Sequence, residues 1–189
     1  MLKQEARLLY RRKREELTPK ELLKFDDLIL IQFQRLSLPL LSHILSFYPM
    51  EEKREINTFI ITDYLRFVNP GLVVAYPRAD FTHNNLQAIA CGDDDEFEIN
   101  RYGIAQPIGK DILSPDCLDL VLVPLLSFDL RGYRVGYGKG FYDRFLHQCR
   151  ADCVKVGLSY FDAIDAIDDA DRFDVPLDFC ITPQTAYVF

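Results

Sequence analysis

The sequence predicts an α/β fold in which an open, mostly parallel sheet lies between helices. Apolar runs at residues 72–77, 120–124 and 153–159 have the length and aliphatic content of buried strands. Amphipathic segments separate these runs, and strands that alternate with helices favour a parallel sheet. The 189 residues suffice for a sizeable core, so we expect one domain that spans residues 1–189.

Composition excludes several classes of protein. A hydrophobic content of 49% is too high for a disordered chain, and no apolar run reaches the roughly 18 residues of a membrane span. The first residues lead into a charged helix, not an apolar secretion signal. A net charge of −7 argues against general nucleic-acid binding. We therefore expect neither a membrane nor a nucleic acid as a partner.

The cysteines and histidines show no disulfide or metal signature. The five cysteines are odd in number and include no CxxC pair. Reduced thiols in the cytoplasm are the simplest interpretation. The three histidines are scattered along the chain and give no metal-binding pattern.

A basic stripe marks the first predicted helix. Leucines and an alanine recur on one face, and cations recur on the neighbouring face at helical spacing. The first face holds Leu2, Ala6, Leu9 and Lys13, and the stripe holds Lys3, Arg7, Arg11 and Arg14. A solvated basic face is the usual outcome of such a pattern. The alternative is that Lys3 and Arg7 point into a phosphate site.

Two further helices have recognisable starts. A capping box at residues 18–21, with proline at the first helical position, predicts a helix through residues 22–36. Residues 43–49 predict a strand. Asn57 is suited to cap a third helix. Glu55 precedes that helix, where an acidic residue is usually only a partner of the helix dipole.

The strand at residues 72–77 is followed by Arg78, at the end of the strand where open α/β sheets bind ligands. Residues 86–90 predict another strand. The acidic run 93–96 predicts a solvated turn without a metal ion. The aspartate-rich segment 162–174 is likewise typical of a solvent-facing region.

A glycine-rich stretch at residues 132–144 connects the strand at 120–124 to a helix that begins near Phe141. It contains four glycines, two arginines and one lysine. Glycines permit positive φ and close approach of a ligand to the main chain, and the free N–H groups of a helix start favour an anion. Since Lys139 adds a positive charge, the stretch predicts a phosphate site.

This stretch matches neither of two common phosphate loops. Gly140 follows Lys139 where a P-loop needs serine or threonine, and the glycine spacing does not satisfy GxGxxG. A mobile surface loop is the alternative interpretation. Glycines, cations and aromatic residues in one cluster favour a ligand site over that alternative.

The stretch and its surroundings resemble the signature of the 5-formyltetrahydrofolate cyclo-ligases, or 5,10-methenyltetrahydrofolate synthetases. The matching positions are Leu122, Val123, Pro124, Phe128, Asp129, Gly132, Arg134 and residues 136–143. The likeness extends from the first helix to the last strand. It implies a fold similar to that of the ribose-phosphate isomerase and glucosamine-phosphate deaminase group.

The resemblance also implies roles for individual residues. ATP is expected to contact Lys3, Arg7, Arg134, Val135, Gly136, Tyr137, Gly138, Lys139, Gly140, Phe141 and Tyr142. The folate is expected to contact Met50, Glu55, Tyr137, Gly138, Lys139, Gly140 and Phe141. Glu55 with Thr58 fits the pterin-binding pair of the family. Lys139, Arg134 and Tyr142 are the expected catalytic residues.

Asp143 and Asp174 are the expected ligands of Mg²⁺, which prefers oxygen donors. The sequence departs from the family beside Asp174, because Phe173 stands where relatives often have histidine. Asp178 is therefore the alternative second ligand. Residues 102–107 resemble a family segment near the folate.

The implied reaction converts 5-formyltetrahydrofolate and ATP to 5,10-methenyltetrahydrofolate, ADP and phosphate. Phosphorylation of the formyl oxygen activates a poor electrophile, N10 attacks the carbon, and phosphate leaves. We expect a monomer that binds these two ligands. Two alternatives stay open: a protein that binds a nucleotide or sugar phosphate without turnover, and a sugar-phosphate isomerase. The isomerase leaves Lys3, Arg7 and Asp143 unexplained.

Overall fold

The computed structural model describes residues 1–82, 84–92, 94–100 and 103–189. The helices are α1 (Lys3–Glu16), α2 (Pro19–Phe33), α3 (Thr58–Val68) and α4 (Phe141–Leu146). The strands are β1 (His43–Leu45), β2 (Val73–Asp80), β3 (Asn85–Cys91), β4 (Phe97–Ile99), β5 (Ala105–Pro107), β6 (Ile112–Leu113), β7 (Leu120–Val123), β8 (Ser127–Phe128), β9 (Arg134–Val135), β10 (Val154–Leu158), β11 (Phe179–Ile181) and β12 (Ala186–Val188).

Eight strands form the main sheet, in the order β12-β11-β10-β7-β1-β2-β3-β6. The five strands from β11 to β2 are parallel to their neighbours, whereas β12, β3 and β6 pair in antiparallel fashion at the edges. Two small ribbons, β4–β5 and β8–β9, lie outside this sheet. The prediction of an open, mostly parallel sheet is confirmed.

The core lies on both faces of this sheet. In β7, Leu120 and Leu122 pack on the face that carries α2 and α3, and Val121 and Val123 pack on the opposite face with α4. All four side chains are fully buried. A parallel strand that is covered on both faces needs an unbroken apolar run, which is the pattern of residues 120–123.

The predicted helix starts are confirmed. Thr18 and Glu21 each accept a hydrogen bond from the other's backbone N–H, which closes the capping box of α2. The Asn57 side chain accepts from the N–H of Phe59 at 3.1 Å and caps α3. The predicted strand at residues 43–49 is shorter, because the Phe47 carbonyl accepts from the Thr58 hydroxyl of α3.

The buried face of α1 differs from the predicted apolar face. Ala6 and Tyr10 are buried, and Arg14 with them, whereas Leu2 and Leu9 are exposed. This orientation arises because the inner face of α1 contacts the β8–β9 ribbon. The helix is thus rotated so that its cations, rather than two of its leucines, face the protein.

The aspartate-rich segment is largely exposed, as predicted, and it also contacts the start of α1. Asp168 accepts from the amino group of Met1 at 2.7 Å, and Asp169 accepts from the backbone N–H of Lys3 at 2.7 Å. Carboxylates at the start of a helix satisfy its free N–H groups and complement its dipole. The segment therefore fixes the first turn of α1.

Among the described residues, no helix is both long enough and apolar enough to cross a membrane.

A glycine in β10 tests the packing of the sheet against the segments that follow β7 and precede β11. A Cβ on Gly157 would lie 2.6 Å from the nearest side-chain atoms of Leu125 and Leu177, both buried. Gly157→Ala should therefore lower the free energy of unfolding by about 1–3 kcal/mol in urea titrations, since the crowded core must shift. Gly92→Ala is the matched control, because the nearest atom is 3.8 Å away. Equal stability of both variants would contradict this packing.

Candidate active site

A cavity of about 530 Å³ opens at the C-terminal ends of the central strands. Phe47 follows β1, Pro77 lies in the second half of β2, and Pro124 follows β7; all three line it. Helix α1 and the glycine-rich loop, residues 132–140, form the opposite wall together with the start of α4. Parallel sheets commonly bind ligands in this position.

Nearly all predicted site residues line this one cavity. They are Lys3, Arg7, Met50, Glu55, Arg134, Gly136, Tyr137, Gly138, Lys139, Gly140, Phe141, Tyr142, Asp143 and Asp174. Val135 does not line it, and its expected contact with ATP stays a prediction. The Val135 side chain is fully buried with Ala6 and Tyr10, because alternate residues of β9 point to opposite sides.

The glycine-rich loop bends so that its main chain meets a cation. Gly138 has φ +92°, and a Cβ there would lie 3.3 Å from the Arg7 guanidinium. Arg7 Nε donates to the Gly136 carbonyl at 2.9 Å, which holds this side chain flat against the loop. Lys139 beside it is exposed and makes no ion pair within the described residues. Two cations and the main chain of the glycine-rich loop thus lie together at this end of the cavity.

Two carboxylates lie at the same end, each paired with a cation. Asp143 accepts from Arg134 at 2.7 Å, and Asp174 accepts from the Lys3 ammonium at 2.6 Å. Burial lowers the pKa of Arg134, an effect that the neighbouring Asp143 opposes. Among the described residues, no three His, Cys, Asp or Glu side chains form a metal-binding group. Two carboxylates nevertheless fit Mg²⁺ when phosphate oxygens and water complete its shell.

The alternative metal ligand, Asp178, lies elsewhere. Its carboxylate accepts from the backbone N–H of Lys155 at 2.7 Å and pairs with the ammonium of that residue at 2.9 Å. Asp178 does not line the cavity. Its contacts join β10 to the segment before β11, which is a structural role. The geometry therefore favours Asp174 over Asp178 as the partner of Asp143.

Glu55 occupies the other end of the cavity. Its side chain is only 4% exposed, so it is not the surface acid of the alternative interpretation. One carboxylate oxygen accepts from the Met50 N–H at 2.9 Å, and the other accepts from the Tyr137 hydroxyl. Burial, reinforced by the Glu55 charge, raises the pKa of Tyr137, which keeps this hydroxyl a proton donor.

Two other predicted positions do not face the cavity. Thr58 is fully buried and donates to the Phe47 carbonyl at 2.6 Å, so it shapes the wall without lining it. Arg78 lies inside β2, not after it, because pairing with β3 continues to Asp80. Its guanidinium donates to Gln87 and to a backbone carbonyl, and it does not line the cavity.

The segment at residues 102–107 is partly described. Tyr102 lies outside the described residues. Ile104, Ala105 and Gln106 line the cavity, as expected for a segment near a ligand. His83 and Asp93, which also entered the sequence argument, lie outside the described residues too.

Sequence reasoning missed the apolar wall and one buried cation. Tyr48, Phe81 and Leu86 line the cavity, and the Phe81 ring packs edge-on against Phe141 at 5.5 Å. The missed cation is Arg14, which donates to the Tyr137 hydroxyl at 3.2 Å. Its spacing of seven residues from Arg7 places both on one helix face, and this spacing was the available signal.

The Tyr142 hydroxyl has unused hydrogen-bonding capacity. It is buried at the cavity wall and has no hydrogen-bond partner within the described part of the chain. Burial raises the pKa of this group, so it stays protonated. An unpaired buried hydroxyl is costly, which is consistent with a group that a ligand satisfies.

Sequence comparisons connect this chain with known proteins. A family model described as the 5-formyltetrahydrofolate cyclo-ligase family matches residues 3–183. A 5-formyltetrahydrofolate cyclo-ligase from Mycoplasma pneumoniae is 41% identical over 71 residues, which cover 37% of this chain and 42% of the relative. The Escherichia coli K12 protein of that name is 30% identical over 110 residues, 57% and 60% of the two chains. These alignments thus span less than two thirds of either relative.

Solved structures show the same fold. A 5,10-methenyltetrahydrofolate synthetase from Aquifex aeolicus has a TM-score of 0.80, with 24% identity over 100% of this chain and 93% of that chain. A synthetase of that name from Mycoplasma pneumoniae has a TM-score of 0.75, with 26% identity over 97% and 99% of the two chains. The expected likeness to the isomerase and deaminase group stays a prediction.

The buried carboxyl group of Asp26 is connected by hydrogen bonds to the segment that carries Glu55. Asp26 of α2 accepts from the Tyr160 hydroxyl at 2.9 Å and from the Asn57 N–H at 3.3 Å. The Tyr160 hydroxyl also lies 3.4 Å from the Glu55 carbonyl. Burial raises the pKa of Asp26 from 3.8 to about 6. Asp26 therefore links the Glu55 segment to α2, although burial makes its charged form less favourable.

This shift predicts a pH-dependent stability. Between about pH 4 and 6 the native state binds more protons than the unfolded state, so the free energy of unfolding falls as pH rises. Asp26→Asn keeps an acceptor oxygen without the charge. Its stability relative to the wild type should increase by on the order of 2 kcal/mol between pH 4 and 6.5, then stay level. A constant or shrinking difference in urea titrations would contradict the assignment.

Proposed function

Because the chain belongs to the 5-formyltetrahydrofolate cyclo-ligase family, we propose that it converts 5-formyltetrahydrofolate to 5,10-methenyltetrahydrofolate with consumption of ATP and Mg²⁺. The activity resides in one domain, residues 1–189, which works as a cytoplasmic monomer. All five cysteines are free thiols, in keeping with a reducing compartment. The substrates are the folate and ATP, without a nucleic acid or membrane partner.

One observation carries this proposal: a single cavity has an anion-binding end and a carboxylate end. The anion-binding end holds Arg7, Lys139 and the main chain of the glycine-rich loop. The carboxylate end holds Glu55, close to Met50 and Tyr137. ATP phosphates suit the first end. The pterin edge of a folate, which presents an amino group beside a ring N–H, suits the second.

The chemistry requires the two ligands to meet between these ends. The nitrogen of an N-formyl group donates into the carbonyl, so the formyl carbon is a poor electrophile. Transfer of the γ-phosphoryl group to the formyl oxygen makes this oxygen part of a leaving group. N10 then attacks the carbon, and phosphate departs.

The residues of this chain serve such a transfer by position and charge. Phosphoryl transfer depends on alignment and charge neutralisation more than on covalent catalysis. Lys139 and Arg7 neutralise the phosphates, and Arg134 holds Asp143 in place. Tyr142 offers a neutral hydroxyl to the region where the ligands meet. Asp143 and Asp174 would hold Mg²⁺, which supplies further charge neutralisation at the phosphates.

The decisive experiment combines turnover with a variant of Lys139. Pure protein with ATP, Mg²⁺ and 5-formyltetrahydrofolate should produce methenyl absorbance in the near ultraviolet, and omission of ATP should abolish it. Lys139→Met should lower kcat at least about tenfold, since a charged hydrogen bond to the transferring group is lost. Lys20→Met, an exposed lysine of α2, is the control.

The alternatives predict other results. Turnover without ATP would refute the phosphorylation step. ATP binding without any turnover in the wild type would favour a non-catalytic nucleotide-binding protein on this fold.

The two proposed metal ligands can be tested with a third aspartate as control. Asp143→Asn and Asp174→Asn should each raise the Mg²⁺ concentration for half-maximal activity about tenfold or more, because a charged ligand is lost. Each should also weaken Mn²⁺ binding, followed by electron paramagnetic resonance with a non-hydrolysable ATP analogue. Asp178→Asn should change neither value. If Asp178→Asn weakened metal binding and Asp174→Asn did not, Asp178 would be the second metal ligand instead of Asp174.

A further inference from the structure

Arg14 is a buried cation that the reaction itself does not use. Its side chain is 8% exposed, and a buried guanidinium is tolerated only where its donors find acceptors. It lies near the C-terminal end of α1, on the helix face that carries Arg7 toward the glycine-rich loop. Arg14 does not line the cavity itself, but it contacts Tyr137, which does.

The guanidinium joins three separate parts of the chain. Its Nη2 donates to the Leu125 carbonyl, in the loop after β7, at 2.7 Å. Its Nη1 donates to the Tyr137 hydroxyl of the glycine-rich loop at 3.2 Å and lies 4.0 Å from the Glu55 carboxylate. Each contact uses a nitrogen that points in a fixed direction, which is a property of the planar guanidinium.

These contacts determine the direction of the hydrogen bonds. Arginine can only donate, so the Tyr137 oxygen accepts from Arg14 and its single proton is left for another partner. That proton is donated to Glu55. The other Glu55 oxygen accepts from the Met50 N–H. Each carboxylate oxygen thus keeps acceptor capacity for a ligand with two adjacent donors.

We propose that Arg14 is a positioning residue for the folate subsite: it orients Tyr137, and through it Glu55, so that the carboxylate meets the paired donors of the pterin ring. This inference rests on the proposed function. Arg14 contacts no reacting atom. It acts on the affinity for the folate, and its bond to the Leu125 carbonyl holds the subsite at a fixed place relative to α1.

The first test is the affinity for the substrate without turnover. Arg14→Met keeps an unbranched, largely apolar side chain and removes the guanidinium donors. The Kd of 5-formyltetrahydrofolate, measured by calorimetry without ATP, should rise at least about tenfold. The Kd of a non-hydrolysable ATP analogue and kcat at saturating folate should stay within about threefold. Arg12→Met is the matched control, because Arg12 is exposed on the same helix and, among the described residues, pairs with Glu16 alone.

Two further variants separate positioning from charge and from loss of stability. Arg14→Lys keeps the charge but cannot reproduce both directed bonds, so it should recover only part of the affinity. Tyr137→Phe removes the hydroxyl through which Arg14 acts. In the Tyr137→Phe background, Arg14→Met should therefore cost much less affinity than in the wild type. Urea titration establishes that each variant is folded under the assay conditions.

The outcomes distinguish the two proposals. Folate binding by the wild type without turnover would refute the proposed reaction, while the binding series would still decide the role of Arg14. An unchanged Kd in Arg14→Met, full recovery by lysine, or additive effects of the two substitutions would each overturn the positioning role. Wild-type protein that does not bind 5-formyltetrahydrofolate would refute both.

Discussion

The placement of α1 by polar contacts is the constraint on which the site depends. The helix buries little apolar surface of its own, chiefly Ala6 and Tyr10. Three polar contacts fix its position. Lys3 forms an ion pair with Asp174, Arg7 donates a hydrogen bond to the glycine-rich loop, and Arg14 donates one to the loop after β7. Apolar contacts tolerate rotation of a helix, but cations that need specific acceptors do not. The same contacts therefore set the register of α1 and bring its cations to the cavity.

Sequence reasoning succeeded where local pattern and global fold agree. The apolar run of β7 predicts a central parallel strand because both faces of such a strand are covered. The capping box of α2 and the Asn57 cap of α3 are likewise local features, and each gave the right helix start. The glycine-rich stretch predicted positive φ, which Gly132, Gly138 and Gly140 have, because main-chain geometry at glycine is also decided locally.

Sequence reasoning failed where contacts between distant segments determine the local structure. The hydrophobic face of α1 was misplaced, since the rotation of this helix depends on the β8–β9 ribbon more than 100 residues away. Arg78 was placed after its strand, because the pairing that extends β2 is contributed by β3. Glu55 gave no local sign that it would be buried against Tyr137. The burial of the Val135 side chain against α1 likewise depends on a contact with a distant segment.

The aspartates that hold the first turn of α1 have a consequence for how the protein is made. Asp168, Asp169 and Asp174 follow their partners at the start of α1 by more than 160 residues, so they leave the ribosome long after α1 does. A nascent chain can form the central sheet before this closure, but α1 then lacks the carboxylates that position it. The full set of carboxylate contacts that position α1 can therefore form only after residue 174 has been made, and closing so long a loop carries an entropic cost that slows their formation.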